Sequence, residues 1–278
     1  MCYYLSKKVH KKLTVESMKV RIFQTLLLLV AVSAGALACG GSDTAPNGMT
    51  ANDILAMSRN ASASINTSQL YTTATANFLG SQMTMDSFTA EDRLNRASYY
   101  SQNISLWYDA IEPNSEVYNF NNSLYVYSSL KPKWIKTESE VDFWDEESIN
   151  DLFQEFDSNS LDVNYMGMET IGGIDCYKIG FKLNLASAED IIEYFEFNMS
   201  ELDKTSLSDL ECISWIDEDT YYSLKASIAG DMVVENVHVS LNMIMTITNI
   251  NQPVNIVLPE AAINATVISY SDYKSGNY

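Results

Sequence analysis

The chain has 278 residues, with 17 Lys and Arg against 36 Asp and Glu and a formal net charge of −19. A field of that sign repels phosphate backbones and anionic lipid, which argues against nucleic-acid partners and against a polybasic membrane patch. Four cysteines occur without a Cys-x-x-Cys pair, so zinc is not implied.

Residues 1–38 read as an export signal. Lys19 and Arg21 form a basic region, Ile22 to Val32 an apolar stretch too short to span a bilayer, and small residues follow up to Cys39. Met18-Lys19-Val20-Arg21 is a natural beginning for such a signal, so translation is expected to start at Met18. Ala36-Leu37-Ala38 satisfies the small-x-small cleavage rule. Cys39 follows directly and resembles the acylated cysteine of a lipobox, although Ala36 stands where that motif usually has Leu. The plain alternative is a secreted protein with an incidental Cys39. Residues 39–49 read as a flexible tether.

Six of the 17 bases and one of the 36 acids lie in residues 1–38, which leaves 11 bases, 35 acids and a net charge of −24 beyond them. No internal linker interrupts residues 50–278, so one domain is expected there. Cys176 and Cys212 form an even pair in an oxidising compartment and are expected to make one disulfide, two buried free thiols being the other reading. Sequons at Asn60, Asn66, Asn103, Asn121, Asn198 and Asn264 fit an exported chain that can be glycosylated.

In chain order, Thr50 with Asp53 predicts a capped helix carrying Ile54, Met57, Ala61 and Ile65 on one face. From Tyr71 to Phe88 the pattern alternates, with Met83 and Met85 on one side and Gln82, Thr84 and Asp86 on the other. Asn95 to Tyr108 and Glu116 to Tyr127 continue this texture as hairpins of a meander, with turns at Pro113-Asn114 and Asn121-Asn122. Ser139 with Asp142 predicts a second helix, striped by Ile149, Leu152, Phe153 and Phe156.

Strands return over Val163 to Leu185, broken at Gly172-Gly173. Ser187 with Asp190 predicts a third helix carrying Ile191, Phe195, Met199 and Leu202. Strands then follow over Ile213–Ile216, Thr220–Ile228, Val233–Asn249 and Val254–Val257, with turns at Glu218-Asp219 and Gly230-Asp231. The order predicts an α+β fold that is mainly antiparallel β. A long sheet must curl or be covered, and helices packed on its concave face would leave a cavity.

Three local sequences carry a resemblance. Gly173-Ile174-Asp175-Cys176-Tyr177-Lys178, Trp215-Ile216-Asp217-Glu218-Asp219-Thr220-Tyr221 and Pro253-Val254-Asn255-Ile256-Val257-Leu258-Pro259-Glu260-Ala261 resemble the LolA/LppX-type lipoprotein carrier superfamily of prokaryotes. The first helix and Lys133-Trp134-Ile135-Lys136 fit the same pattern. The resemblance covers most of residues 50–268. It implies an unclosed β half-barrel wrapped around helices, with an apolar cavity that accepts acyl chains or lipidated molecules in relatives. Relatives also include envelope-stress sensors, and fold analogy alone does not confer function.

Catalysis has little material. His238, the one histidine after residue 38, stands between Val237 and Val239 in a strand. No nucleophile elbow or phosphate loop occurs, and acidic runs such as Asp145-Glu146-Glu147 and Asp217-Glu218-Asp219 read as solvated turns. No enzyme activity, metal or cofactor is expected, a carboxylate-based hydrolase being the weakest alternative. Candidate cavity-lining residues are Met83, Met85, Trp107, Trp134, Phe153, Met166, Met168, Phe195, Met243 and Met245. Each methionine pair lies two apart and is expected to face one side of the sheet. Trp134, beside Lys133 and Lys136, would suit a cavity rim, and Trp215 is expected to be structural. The expected partner is a hydrophobic small molecule or lipid, held by a protein anchored at the outer face of the membrane. The other reading is a sensor or interaction module of the same fold with a filled core.

Overall fold

The structure is a computed structural model that describes residues 44–78, 81–106, 114–139, 144, 163–182, 210–234 and 237–275. Among the described residues, twelve strands make one sheet: β1 (Thr67–Phe78), β2 (Ser81–Asp92), β3 (Ala97–Leu106), β4 (Asn114–Phe120), β5 (Ser123–Ser128), β6 (Lys131–Glu138), β7 (Val163–Ile171), β8 (Ile174–Lys182), β9 (Glu211–Asp217), β10 (Ser223–Val234), β11 (Val237–Thr248) and β12 (Thr266–Val267). Their spatial order is β12-β6-β5-β4-β3-β2-β1-β11-β10-β9-β8-β7. Two meanders therefore run outward from the centre, and the antiparallel β1–β11 pair joins them. Of these pairings only the short β12–β6 contact is parallel. The edge strands β12 and β7 do not meet, so the sheet is open and curved as a half-barrel.

The tight turns follow from local chemistry. Asn121 and Asn122 join β4 to β5 with φ of 48° and 70°, and Gly172 and Gly173 join β7 to β8 with φ of 59° and 89°. Positive φ at both centres is the geometry whose twist matches paired strands, and Asn and Gly tolerate it best. Sequence patterning reads β1 with β2 as one continuous stretch, divides β4 from β5 at Asn121-Asn122, and does not assign β6 at all. Proline at position 132 and three lysines obscure the β6 signal, yet Ile135 and Thr137 are buried there.

Helix α1 (Ala51–Ser62) has the predicted capping box: the Thr50 hydroxyl accepts from the Asp53 amide at 3.2 Å, and the Asp53 carboxylate accepts from the Thr50 amide at 2.9 Å. Its buried face differs from the expected one. Ala51, Ile54, Leu55 and Ser58 are covered, Met57 is exposed, and Ile65 lies beyond the helix end. Residues 44–49 of the expected tether are folded. Thr44 bridges to Thr50, Ala45 is buried, and the Ala45 amide donates to the Met49 carbonyl at 2.8 Å.

Two other expectations fail for physical reasons. Gly230-Asp231 is not a turn: Gly230 sits inside β10 opposite Leu241 at φ 149°, a conformation glycine takes without a Cβ penalty. Val254–Val257 is not a strand. This segment carries the chain from β11 at the centre to β12 at the edge, seven strand spacings or about 34 Å across the sheet. It alternates in burial but crosses strands, so it has no neighbour to ladder with. Helices α2 (Glu260–Ile263) and α3 (Tyr270–Ser275) follow, and Tyr270 and Tyr273 of α3 pack with Ile268 on Leu124, Val126 and Ile135. The two other expected helices lie outside the described residues.

The predicted disulfide is absent. Cys176 stands opposite Asp217 and Cys212 opposite Phe181 in the β8–β9 ladder, and both thiols are free and buried. Five residues along a strand is roughly 17 Å, whereas a bridge needs Cα atoms within about 7 Å. Strand alternation also places the two on opposite faces.

Candidate functional site

The ladder registers define one inner face. Val163, Phe181, Cys212, Ile228, Met243, Ala74, Met85 and Ile104 follow one another as direct cross-strand partners from β7 to β3. None of them is more than 4% exposed. On this face Ala74 and Ala76 of β1 have Met85 and Met83 on one side and Met243 and Leu241 on the other. Small side chains thus stand between long flexible ones along β1, and methionine is a polarizable side chain that adapts to varied shapes.

A polar band runs beside the apolar row. Ser214, Ala226, Met245, Thr72, Ser87 and Gln102 are the next cross-strand partners. The Tyr100 hydroxyl donates to the Gln102 amide oxygen, and burial raises the Tyr100 pKa above its ordinary value. Ser214 and Ser223 hydroxyls meet at 3.0 Å. By contrast Thr72 Oγ1, Asn119 Oδ1 and Thr137 Oγ1 are buried on this face with no hydrogen-bond partner among the described residues. Buried polar atoms of this kind are normally satisfied, so three on one face call for a partner.

The expected lining residues divide. Met83, Met85, Met243 and Met245 come together on the inner face, as their alternation predicted. Met166 and Met168 do not share a side. At a bulge Met166 and Gly167, the latter at φ 108°, together oppose Lys178, so that Met168 faces Tyr177 on the inner side while Met166 Sδ lies over Gly180 on the outer side. Trp134 is also on the outer face, paired with Tyr127, its ring tilted against it at 5.4 Å and against Tyr118 at 5.9 Å. The β6 residues that face inward are Ile135 and Thr137. Trp107, Phe153 and Phe195 lie outside the described residues, as do Cys39 and Asn198.

Sequence reasoning missed Ile228, Phe181, Ile104 and Val163, each within a strand it had drawn; only the register aligns them. It also missed an outer aromatic ladder, in which Tyr71, Phe88, Tyr99 and Tyr118 follow one another at centroid distances of 4.8, 6.0 and 4.5 Å. Trp215 is 5% exposed, with Lys225 Nζ at 4.4 Å and Lys178 Nζ at 5.3 Å from its ring.

The titratable groups divide in the same way. His238 is exposed on β11. The acidic run at 217–219 is a turn, in which Asp217 accepts from the Asp219 amide at 2.9 Å and from the Thr220 hydroxyl at 2.5 Å. Burial pushes the Cys176 thiol up to about 11, with Asp217 adding to the effect, and burial raises Cys212 as well. Asn60, Asn66, Asn103, Asn121 and Asn264 are all exposed.

No protein-family model matches the sequence, and a comparison with curated proteins gives no match. Solved structures do match. The chain is similar to LprF from Mycobacterium bovis at 15% identity, covering 75% of this chain and 96% of that one with a TM-score of 0.47. It is similar to the lipoprotein LppX from Mycobacterium tuberculosis at 16% identity, covering 74% and 97% with a TM-score of 0.40. A LolA superfamily protein from Nitrosomonas europaea matches at 11% identity over 76% and 96%, with a TM-score of 0.26. LppX and the LolA superfamily are the groups that the sequence resembles.

Proposed function

We propose that this chain is an extracytoplasmic lipoprotein, anchored through Cys39, that holds a hydrophobic molecule or lipid against the inner face of its half-barrel. The observation that supports the reading is the conjunction on one face of an alanine row flanked by methionines with buried oxygen atoms that have no partner among the described residues. Removing an acyl chain from water onto such a face supplies the driving force, about 0.8 kcal/mol per buried methylene. The unpartnered hydroxyl and amide oxygens suit a ligand that also carries polar groups. Release would require a membrane or a protein partner to compete for the ligand.

In this reading the chain binds and does not catalyse. A filled-core sensor or interaction module is the second reading, and the near-zero exposure of Ile228 and Met243 favours it. Mass spectrometry of organic extracts from natively purified protein separates the two. A carrier yields a lipid in stoichiometric amount and takes one up again after delipidation; a filled core does neither. Fatty-acid labelling of expressing cells tests the anchor, and Cys39→Ser should abolish the signal. The single domain beyond the signal, the outward location and glycosylation at the exposed sequons belong to the same proposal.

A further inference from the structure

Helix α1 holds a cation that nothing among the described residues pairs. Arg59 Nε and Nη2 are both buried and neither has a hydrogen-bond partner there, and the adjacent Ser58 Oγ, in a residue that is 0% exposed, has none either. The contrast within the chain is direct, because Arg93 Nε meets Glu91 at 3.0 Å. In a protein with 36 acids, an acidic partner for Arg59 would have been easy to supply. Burial is what lowers the Arg59 pKa, with no neighbouring charge contributing.

The two orphaned nitrogens lie on one edge of the guanidinium. Nε–H and Nη2–H form the parallel fork that grips two oxygens of a carboxylate or phosphate, and a buried cation without such a partner is costly. The helix is also in the right place. Helix α1 packs against β7, whose Val163 begins the apolar row, and the turn leading into it is bonded to Tyr177 on the inner face. We propose that the Nε–Nη2 edge of Arg59, with the Ser58 hydroxyl, seats the anionic oxygens of an amphiphile whose apolar tail lies on the inner face. This rests on the lipid-holding reading and narrows its ligand to an acid.

The test uses the full chain and four probes: a fluorescent long-chain fatty acid, its methyl ester, the alcohol and the monoalkyl phosphate of the same length. The acid, the phosphate or both should bind at least about tenfold more tightly than the ester and alcohol. Arg59→Gln should remove that preference while leaving ester binding unchanged. Arg59→Lys keeps the charge without the fork and should restore it only in part, and Ser58→Ala should reduce it by a smaller factor. A preference for phosphate alone that Arg59→Gln removes supports the seat and identifies the headgroup. Equal binding of acid and ester, or a preference that survives Arg59→Gln in folded protein, overturns the seat and leaves the carrier reading intact. Failure of every probe to bind overturns both.

Discussion

Asn47 donates its side-chain amide to the Tyr177 hydroxyl at 2.8 Å, which ties the turn before α1 to strand β8 across 130 residues of sequence. Tyr177 in turn stacks 6.3 Å from Tyr221, whose hydroxyl donates to Met49 Sδ at 3.7 Å. Tyr177→Phe removes the acceptor and keeps the ring. It should cost about 0.5–1.5 kcal/mol in urea unfolding. Amide exchange in α1 should speed up with it, since this bond anchors the helix entry; unchanged exchange would show that α1 is held from elsewhere.

Removal of the helix cap has a predicted pH signature. Thr50→Ala should destabilise the protein by about 1 kcal/mol near neutrality. The Thr50 hydroxyl, then its amide, hold the Asp53 carboxyl below its ordinary range. A carboxyl depressed in the folded state contributes stability above its unfolded pKa, and that contribution is lost as pH falls through the folded value. The difference between wild type and Asp53→Asn should therefore shrink below about pH 4, as read from thermal melts.

The free thiols give a chemical test. Cys176 and Cys212 should resist alkylation in the native protein at neutral pH and both react after denaturation, and a reductant should leave Tm unchanged. A thiol raised from 9.0 to about 11 stays protonated when the unfolded one ionises. Stability should then fall as pH rises from about 9 to about 11, and Cys176→Ala should flatten part of that slope. A mass two hydrogens lower in the intact chain would contradict the register.

The bulge in β7 depends on backbone conformation more than on space. An added Cβ at Gly167 would meet nothing within 4 Å, yet with φ at 108° Gly167→Ala should cost about 1–3 kcal/mol in strain. At Gly180 the position is reversed, since an added Cβ would come within 2.5 Å of Met166 Sδ. The tip of a flexible methionine can swing away, so Gly180→Ala should cost less than Gly167→Ala. Met166→Ala should rescue Gly180→Ala and leave Gly167→Ala unimproved, a pattern that denaturant melts of the single and double variants would read.

The centre of the inner row should be sensitive to truncation. Ile228→Ala is expected to lower stability by about 2–5 kcal/mol, and Met243→Leu by less than about 1.5. Calorimetry on ligand-free protein checks both. A small loss at Ile228 would mean that this part of the face already borders empty space.

Some of this was readable from residue order because it depends on neighbours one to four positions apart. The Thr50–Asp53 box, the inward alternation of Met83 with Met85 and of Met243 with Met245, and the Asn121-Asn122 and Gly172-Gly173 turns are local, and each appears where patterning put it. Local patterning also misled. One extra residue at the Met166-Gly167 bulge reverses facing without altering the apparent period, and Val254–Val257 alternates without a partner.

What the order of residues determined by itself was the class of the fold, its acidic surface and the resemblance to carrier lipoproteins. Tertiary structure alone decided which strands adjoin. That choice joins β1 to β11, aligns eight residues from β7 to β3 into one row, separates Cys176 from Cys212 and leaves Arg59 without a partner among the described residues. The physical reason is that strand pairing is a long-range competition among backbones, settled by how much apolar surface the whole sheet can bury, and no window along the chain contains it.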